Sequence, residues 1–189
     1  SANILDGLNL SGELAAQFGN KVLGSAHADR EALGVQLMSN YALPFEGTKS
    51  YSPVLTTAYT YVSGDSNPAD VSDVYEAWDP MFENQGGTKI YNTLFDLTNC
   101  HVVTVRGAIV PLEDLTASVE WNGIWLAKEL SDTDGNGLTS MTIGQPDGTT
   151  VTEVTDTDKK MGDDLSLDLV YDYTEDVQLG ATYGWFFPG

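Results

Sequence analysis

Cysteine is nearly absent: Cys100 stands alone among 189 residues. A single thiol excludes an internal disulfide framework and any multi-cysteine zinc site. Basic residues are scarce too, with 8 Lys+Arg against 28 Asp+Glu and a formal charge of −20. So acidic a chain repels phosphate, which argues against nucleic acid as a partner and against a peripheral role on an anionic membrane. No apolar run approaches the roughly 18 residues of a transmembrane helix. No basic, apolar leader stands at Ser1, so a secreted chain is expected to be mature or incomplete here. Hydrophobic residues nevertheless make up 41% and aromatics 10%, which argues against wholesale disorder. The length fits one domain with a sizeable core, and 19 Gly with 9 Tyr favour strands and turns.

What the chain has in quantity is alternation with a period of two. Leu8, Leu10, Leu14, Ala16 and Phe18 are apolar where Asn9, Ser11, Glu13 and Gln17 are polar. Leu33, Val35, Leu37, Tyr41 and Leu43 face away from Gln36, Met38 and Asn40. Between Pro53 and Ser63, Val54, Ala58 and Val62 oppose Leu55, Tyr59 and Tyr61. Val103, Val105, Gly107 and Ile109 alternate with Thr104, Arg106 and Ala108. Leu115, Ala117, Val119, Trp121 and Trp125 alternate with Thr116, Ser118, Glu120 and Asn122. Leu165 to Tyr173, and Val177 to Phe187, repeat the pattern against Ser166, Asp168 and Asp172, then Gln178 and Thr182. A sheet with one apolar and one polar face requires this pattern.

Seven such runs fit a soluble or cell-surface β-sandwich, acting as a binding or structural module. Three features favour an all-β fold of another kind, an antiparallel transmembrane β-barrel. Several runs reach ten residues or more, whereas sandwich strands usually number about five or six and a tilted strand crosses a bilayer in about 9–11. Short links at Pro44–Ser52, Val110–Asp114 and Thr174–Asp176 alternate with long polar ones at Gly19–Arg30, Gly64–Thr93 and Ser131–Asp163, the layout of outer-membrane barrels. Aromatics gather at strand ends, as Tyr41 and Phe45, Trp121 and Trp125, and Tyr171 and Tyr173 do, which suits two interfacial girdles. Seven strands leave such a sheet unclosed, so residues 1–189 are expected to be one partial barrel segment, with residues 64–93 and 131–163 as long extracellular loops.

The stretch Tyr59-Thr-Tyr-Val-Ser-Gly-Asp65 resembles the aromatic-rich strand ending in Ser-Gly-Asp of the alginate-export family of outer-membrane porins. Ala77-Trp-Asp-Pro-Met-Phe82, followed by Gly86-Gly87, is similar to the loop element that comes next in that family. Leu165-Ser-Leu-Asp-Leu-Val-Tyr171 and Leu179 to Phe187-Pro-Gly189 are similar to its last complete hairpin. The matches keep the family's order from about Gly7 to Gly189, and the family's final aromatic-ended strand is missing. The resemblance implies a monomeric channel in the outer membrane of a Gram-negative-type bacterium. Such a channel sits among lipid and lipopolysaccharide, passes a solute by diffusion and needs no cofactor.

In a barrel the polar half of each strand faces the lumen. Glu13, Gln17, Gln36, Asn40, Arg106, Glu120, Asn122, Asp168, Asp172 and Gln178 are the candidate pore-lining residues. A wall more acidic than basic favours cations or neutral polar solutes, saccharides among them, over a polyuronate. The plainer reading is that these residues solvate the wall, or that Arg106 pairs with Glu120 across adjacent strands. Asp132-Thr-Asp-Gly-Asn-Gly137 matches the first half of an EF-hand loop, with Asp132, Asp134 and Asn136 as the oxygen donors. Position 12 is Ile143, so a Ca²⁺-binding loop and an ordinary Asp/Gly turn both fit. Nothing points to an enzyme. His27 and His101 have neither zinc-ligand nor protease spacing, and Cys100 reads as a buried small residue. Gly86-Gly87 follows no strand and opens no helix. The reading is a passive outer-membrane porin, with the sandwich module as its competitor.

Overall fold

Backbone N–H and C=O groups along the alternating runs find partners in the neighbouring runs. The structure is a computed structural model, and it describes residues 2–23, 26–44, 51–65, 74–82, 89–129, 141–144, 150–153 and 159–189. Its elements are β1 (Ala2–Leu5), β2 (Leu8–Leu23), β3 (Ala26–Ala42), β4 (Val54–Val62), α1 (Lys89–Leu94), β5 (Cys100–Leu112), β6 (Leu115–Leu126), β7 (Met141–Gly144), β8 (Thr150–Glu153), β9 (Lys160–Thr174) and β10 (Val177–Pro188). One antiparallel sheet takes the order β1-β2-β3-β4-β5-β6-β9-β10, and β7 pairs with β8 apart from it. All seven expected strands are present, with the short β1 added at one edge. The sheet is open, since β1 and β10 do not meet, as in a segment of a barrel.

Two-residue turns set the register on one side of the sheet. Asp6-Gly7, Glu113-Asp114 and Glu175-Asp176 reverse the chain, with Gly7 and Asp114 at φ 80° and 66°. Gly supplies that conformation without steric cost, and Asp is among the few side chains that tolerate it. Each turn fixes which side chains share a face, because a one-residue slip would invert every one. Around the Glu113-Asp114 turn, Val105 then faces Trp121 and Arg106 faces Glu120.

The link expected at Gly19–Arg30 is corrected. β2 runs to Leu23 and β3 starts at Ala26, with Gly19 paired to Arg30, Asn20 to Asp29 and Val22 to His27. Polar side chains made this stretch read as a loop, yet an antiparallel ladder satisfies the backbone wherever it runs. The 16 and 17 residues of β2 and β3 exceed the roughly 9–11 that suffice for a tilted strand to cross a bilayer.

The sheet is a single layer. Leu14, Leu37, Tyr59, Val105, Val119, Leu169, Leu179 and Tyr183 are exposed on one face. Among the described residues no second sheet covers them, so they form no sandwich core. The buried cluster lies on the opposite face, at the end where the long connections leave. There Val62, Cys100, Val102 and Ile124 of the sheet meet Tyr91 and Phe95 of the segment between β4 and β5.

Candidate functional site

The polar face of the sheet is a continuous hydrogen-bonded wall. Successive cross-strand rungs place Glu13 with Gln36, Thr60 and Val102, and Asn40 with Thr56, Arg106, Glu120 and Ser166. Gln17 lies above Glu13, Asn122 pairs with Asp164, and Asp168 pairs with Thr182. At the short-turn end Asp172 pairs with Gln178. All ten expected wall residues thus stand on one face.

Their side chains bond laterally. Gln36 Nε2 donates to Thr60 Oγ1 at 3.0 Å, and Thr56 Oγ1 to Asn40 Oδ1 at 2.7 Å. Thr104 Oγ1 donates to Asn122 Oδ1 at 2.6 Å, and Asn122 Nδ2 to Glu120 Oε1 at 3.2 Å. Arg106 Nη2 donates to Ser118 Oγ at 3.1 Å while its Nε lies 3.8 Å from Glu120 Oε2. Further down, Thr182 Oγ1 donates to Asp168 Oδ1 at 2.6 Å and Gln178 Nε2 to Asp172 Oδ1 at 2.7 Å. The Arg106–Glu120 pair expected as the plainer reading is therefore formed. Glu13, Asp164, Asp168 and Asp172 remain as carboxylates on this face, while its other cations, Lys21 and Arg30, lie at the long-connection end. There Lys21 Nζ sits 3.4 Å from the centre of the Tyr75 ring and Arg30 Cζ 5.2 Å from it.

A roof closes over the wall at that end. Residues 74–82 run across the polar face as a strap. Tyr75 N donates to Asp29 O at 2.7 Å, and Glu31 N donates to Tyr75 O at 3.1 Å. Trp78 lies on Gly34, where a Cβ would come within 3.2 Å of the indole. Gln17 Nε2 donates to Asp79 O at 2.6 Å, Asp79 N donates back to Gln17 Oε1 at 2.9 Å, and Arg30 Nη1 meets Asp79 Oδ2 at 2.5 Å. Lys128 Nζ binds the Glu76 carboxylate. This hydrogen bond raises the Lys128 pKa above its ordinary value, so the ammonium stays charged through neutral pH.

Beyond the strap, α1 crosses from β5 to β10, about three strand spacings or 14 Å. Tyr91 Oη lies 3.3 Å from Cys100 Sγ on β5, and Phe95 stacks on Phe186 of β10 at 5.3 Å between ring centres. Ile90 packs so closely on Gly184 that a Cβ there would fall 2.1 Å from Ile90 Cδ1. Burial is the main cause, with the Cys100 thiol second, that drives the Tyr91 pKa far up, so the phenol is neutral at any working pH. Between this roof and the wall lies a groove of about 290 Å³, lined by Gln36, Asn40, Thr56 and Glu120 from the sheet and by Tyr91 and Leu97 from the roof.

One residue knots the roof to the sheet. Asn99, at φ 48°, accepts from Lys128 N at 2.8 Å through Oδ1 and donates to Lys128 O at 3.0 Å through Nδ2. A Cβ on Gly64 would lie 1.6 Å from Asn99 Oδ1, so Gly64→Ala must expel that side chain. The expected cost is about 1–3 kcal/mol of local stability. Limited proteolysis will read it as faster cleavage between β4 and β5 while β6, β9 and β10 stay protected.

Some expectations fare differently. Cys100 is buried, as expected, and His101 sits on the apolar face with Nδ1 2.7 Å from Tyr59 Oη. Gly86 and Gly87 lie outside the described residues, and α1 starts at Lys89. Asp132, Asp134 and Asn136 lie outside the described residues, and among those described no cluster of three metal-ligating side chains occurs. The roof residues Tyr91, Phe95 and Leu97 escaped sequence reading, and Trp78 entered it only through the family-like element Ala77-Trp-Asp-Pro-Met-Phe82. The one available signal for Tyr91 and Phe95 was their aromatic side chains outside any alternating run. Comparison with protein-family models matches residues 1–189 to the family described as Alginate export. No curated protein matches the chain.

Proposed function

The chain belongs to the alginate-export family, a family of outer-membrane transport porins rather than enzymes, and from that premise we propose that its polar wall lines a passive diffusion path for cations and small polar solutes. The observation that carries this reading is the two-sidedness of one open sheet. Among the described residues its apolar face is uncovered across seven strands, while its polar face holds a roofed, hydrogen-bonded groove. In water so large an apolar surface would aggregate; against outer-membrane lipid and lipopolysaccharide chains it is the required exterior. The neighbouring strands that close the barrel complete the lumen, and the solute passes without chemistry or cofactor.

The wall's charge sets the ion preference. Arg106 is compensated by Glu120, which leaves Glu13, Asp168 and Asp172 as the excess among the described wall residues. A unit charge about 8 Å from the path acts through water with about 0.5 kcal/mol, close to RT. Because that energy favours a cation and disfavours an anion alike, each carboxylate removed should change the cation-to-anion permeability ratio about fivefold. Reversal potentials in planar bilayers under a KCl gradient are expected to show cation preference, weakened about fivefold by Asp168→Asn. Anion preference in the parent protein would reject the proposed path.

A further inference from the structure

We propose that the groove under α1 is a binding subsite for an uncharged, hydroxylated solute of about one sugar ring, and that it disfavours the carboxylate-bearing counterpart. This rests on the channel reading above and names the solute class for the same wall.

Size comes first. The groove's volume of about 290 Å³ stands at the small end of the roughly 300–1,000 Å³ of small-molecule sites. It suits a single ring better than an extended chain held along its length.

The polar groups are of the matching kind. Gln36 and Asn40 each spend one amide atom on a threonine hydroxyl, Gln36 Nε2 on Thr60 and Asn40 Oδ1 on Thr56. Gln36 Oε1 and Asn40 Nδ2 are left as an acceptor and a donor without a recorded partner among the described residues. Thr56, Thr60 and Thr104 add hydroxyl oxygens with lone pairs to spare. A hydroxyl both donates and accepts, so it pairs with either kind of group. A carboxylate only accepts, and it needs a cation to replace its hydration.

Charge then decides against the carboxylate. Arg106 is the one guanidinium in the groove's lining. It already bonds Ser118 and faces Glu120 at 3.8 Å, so it offers no uncompensated fork. Asp168 lies on the neighbouring rung and would repel a second carboxylate. Met38, Ala58, Val102 and Leu97 supply apolar area between the polar groups, which suits the C–H faces of a sugar ring.

The test uses the full chain in planar bilayers, with D-glucose and D-glucuronate as matched probes that differ in one carboxylate. Added glucose is expected to reduce the potassium current in a saturable way. Glucuronate should block at least tenfold more weakly, and Asn40→Leu with Thr56→Val should weaken the glucose block about tenfold. The double variant's heat-modifiable gel migration reports whether it folds. If it does not, the glucose-to-glucuronate ratio of the parent protein decides alone. Channels that conduct without glucose block, or that glucuronate blocks equally well, overturn the inference and leave the porin reading standing. The absence of any channel overturns both.

Discussion

Val119→Arg is expected to destabilise the protein in lipid vesicles by about 2–4 kcal/mol, whereas Thr182→Arg is expected to cost little. Val119 lies within β6 between Gly107 and Leu167, on the apolar face, and is 50% exposed. In water, an exposed substitution of this kind stays within about 0.5 kcal/mol. In hydrocarbon, an arginine near the midplane costs the full penalty. Thr182 stands one position away on the ladder but on the polar face, where its hydroxyl already donates to Asp168 at 2.6 Å. An arginine there gains a carboxylate partner and a wet surrounding. Urea unfolding in vesicles, followed by heat-dependent gel migration, compares the two. Equal midpoints would mean that the apolar face does not meet lipid, and the barrel reading would fall with it. The same pair of variants disposes of the sandwich: a dry core would punish Val119→Arg with no bilayer present.

Period-two alternation made the seven long strands and their two faces legible, because a side chain's face depends only on its parity along the strand. That is why Glu13, Asn40, Glu120 and Asp168 could be placed on one wall from sequence. Arg106 facing Glu120 was also within reach, since the tight Glu113-Asp114 turn leaves little freedom of register. Polarity misled at Gly19–Arg30, where the paired strand ends carry the composition of a loop. The roof was out of reach for a different reason. α1 has six residues, Lys-Ile-Tyr-Asn-Thr-Leu, too few to show a helical period and too short to be stable alone. It exists because Tyr91 docks on Cys100 while Ile90 and Phe95 dock on Gly184 and Phe186, residues distant in sequence. The groove beneath it is likewise a product of contacts that no local pattern encodes.

Removing the roof is the second large effect. Tyr91→Ala combined with Phe95→Ala is expected to raise single-channel conductance several-fold. Both side chains are buried, at 1% and 9% exposure, and truncating a buried aromatic costs about 3–5 kcal/mol. A six-residue helix has no internal stability to set against that loss, so α1 should leave the wall. The strap would stay behind, because its anchors are separate: Asp79 to Arg30 and Gln17, Glu76 to Lys128, and the Tyr75 backbone to Asp29 and Glu31. A helix with its side chains is about 10–12 Å across, a cross-section comparable to the lumen of a modest barrel, so its departure should dominate the conductance. Phe82→Ala serves as the control, since that ring, at the end of the strap, is 75% exposed. The proteolytic susceptibility of residues 89–97 should rise in step with conductance. If the segment becomes cleavable while conductance stays at the parent value, α1 has undocked without having stood in the path. The constriction then belongs to another part of the lumen.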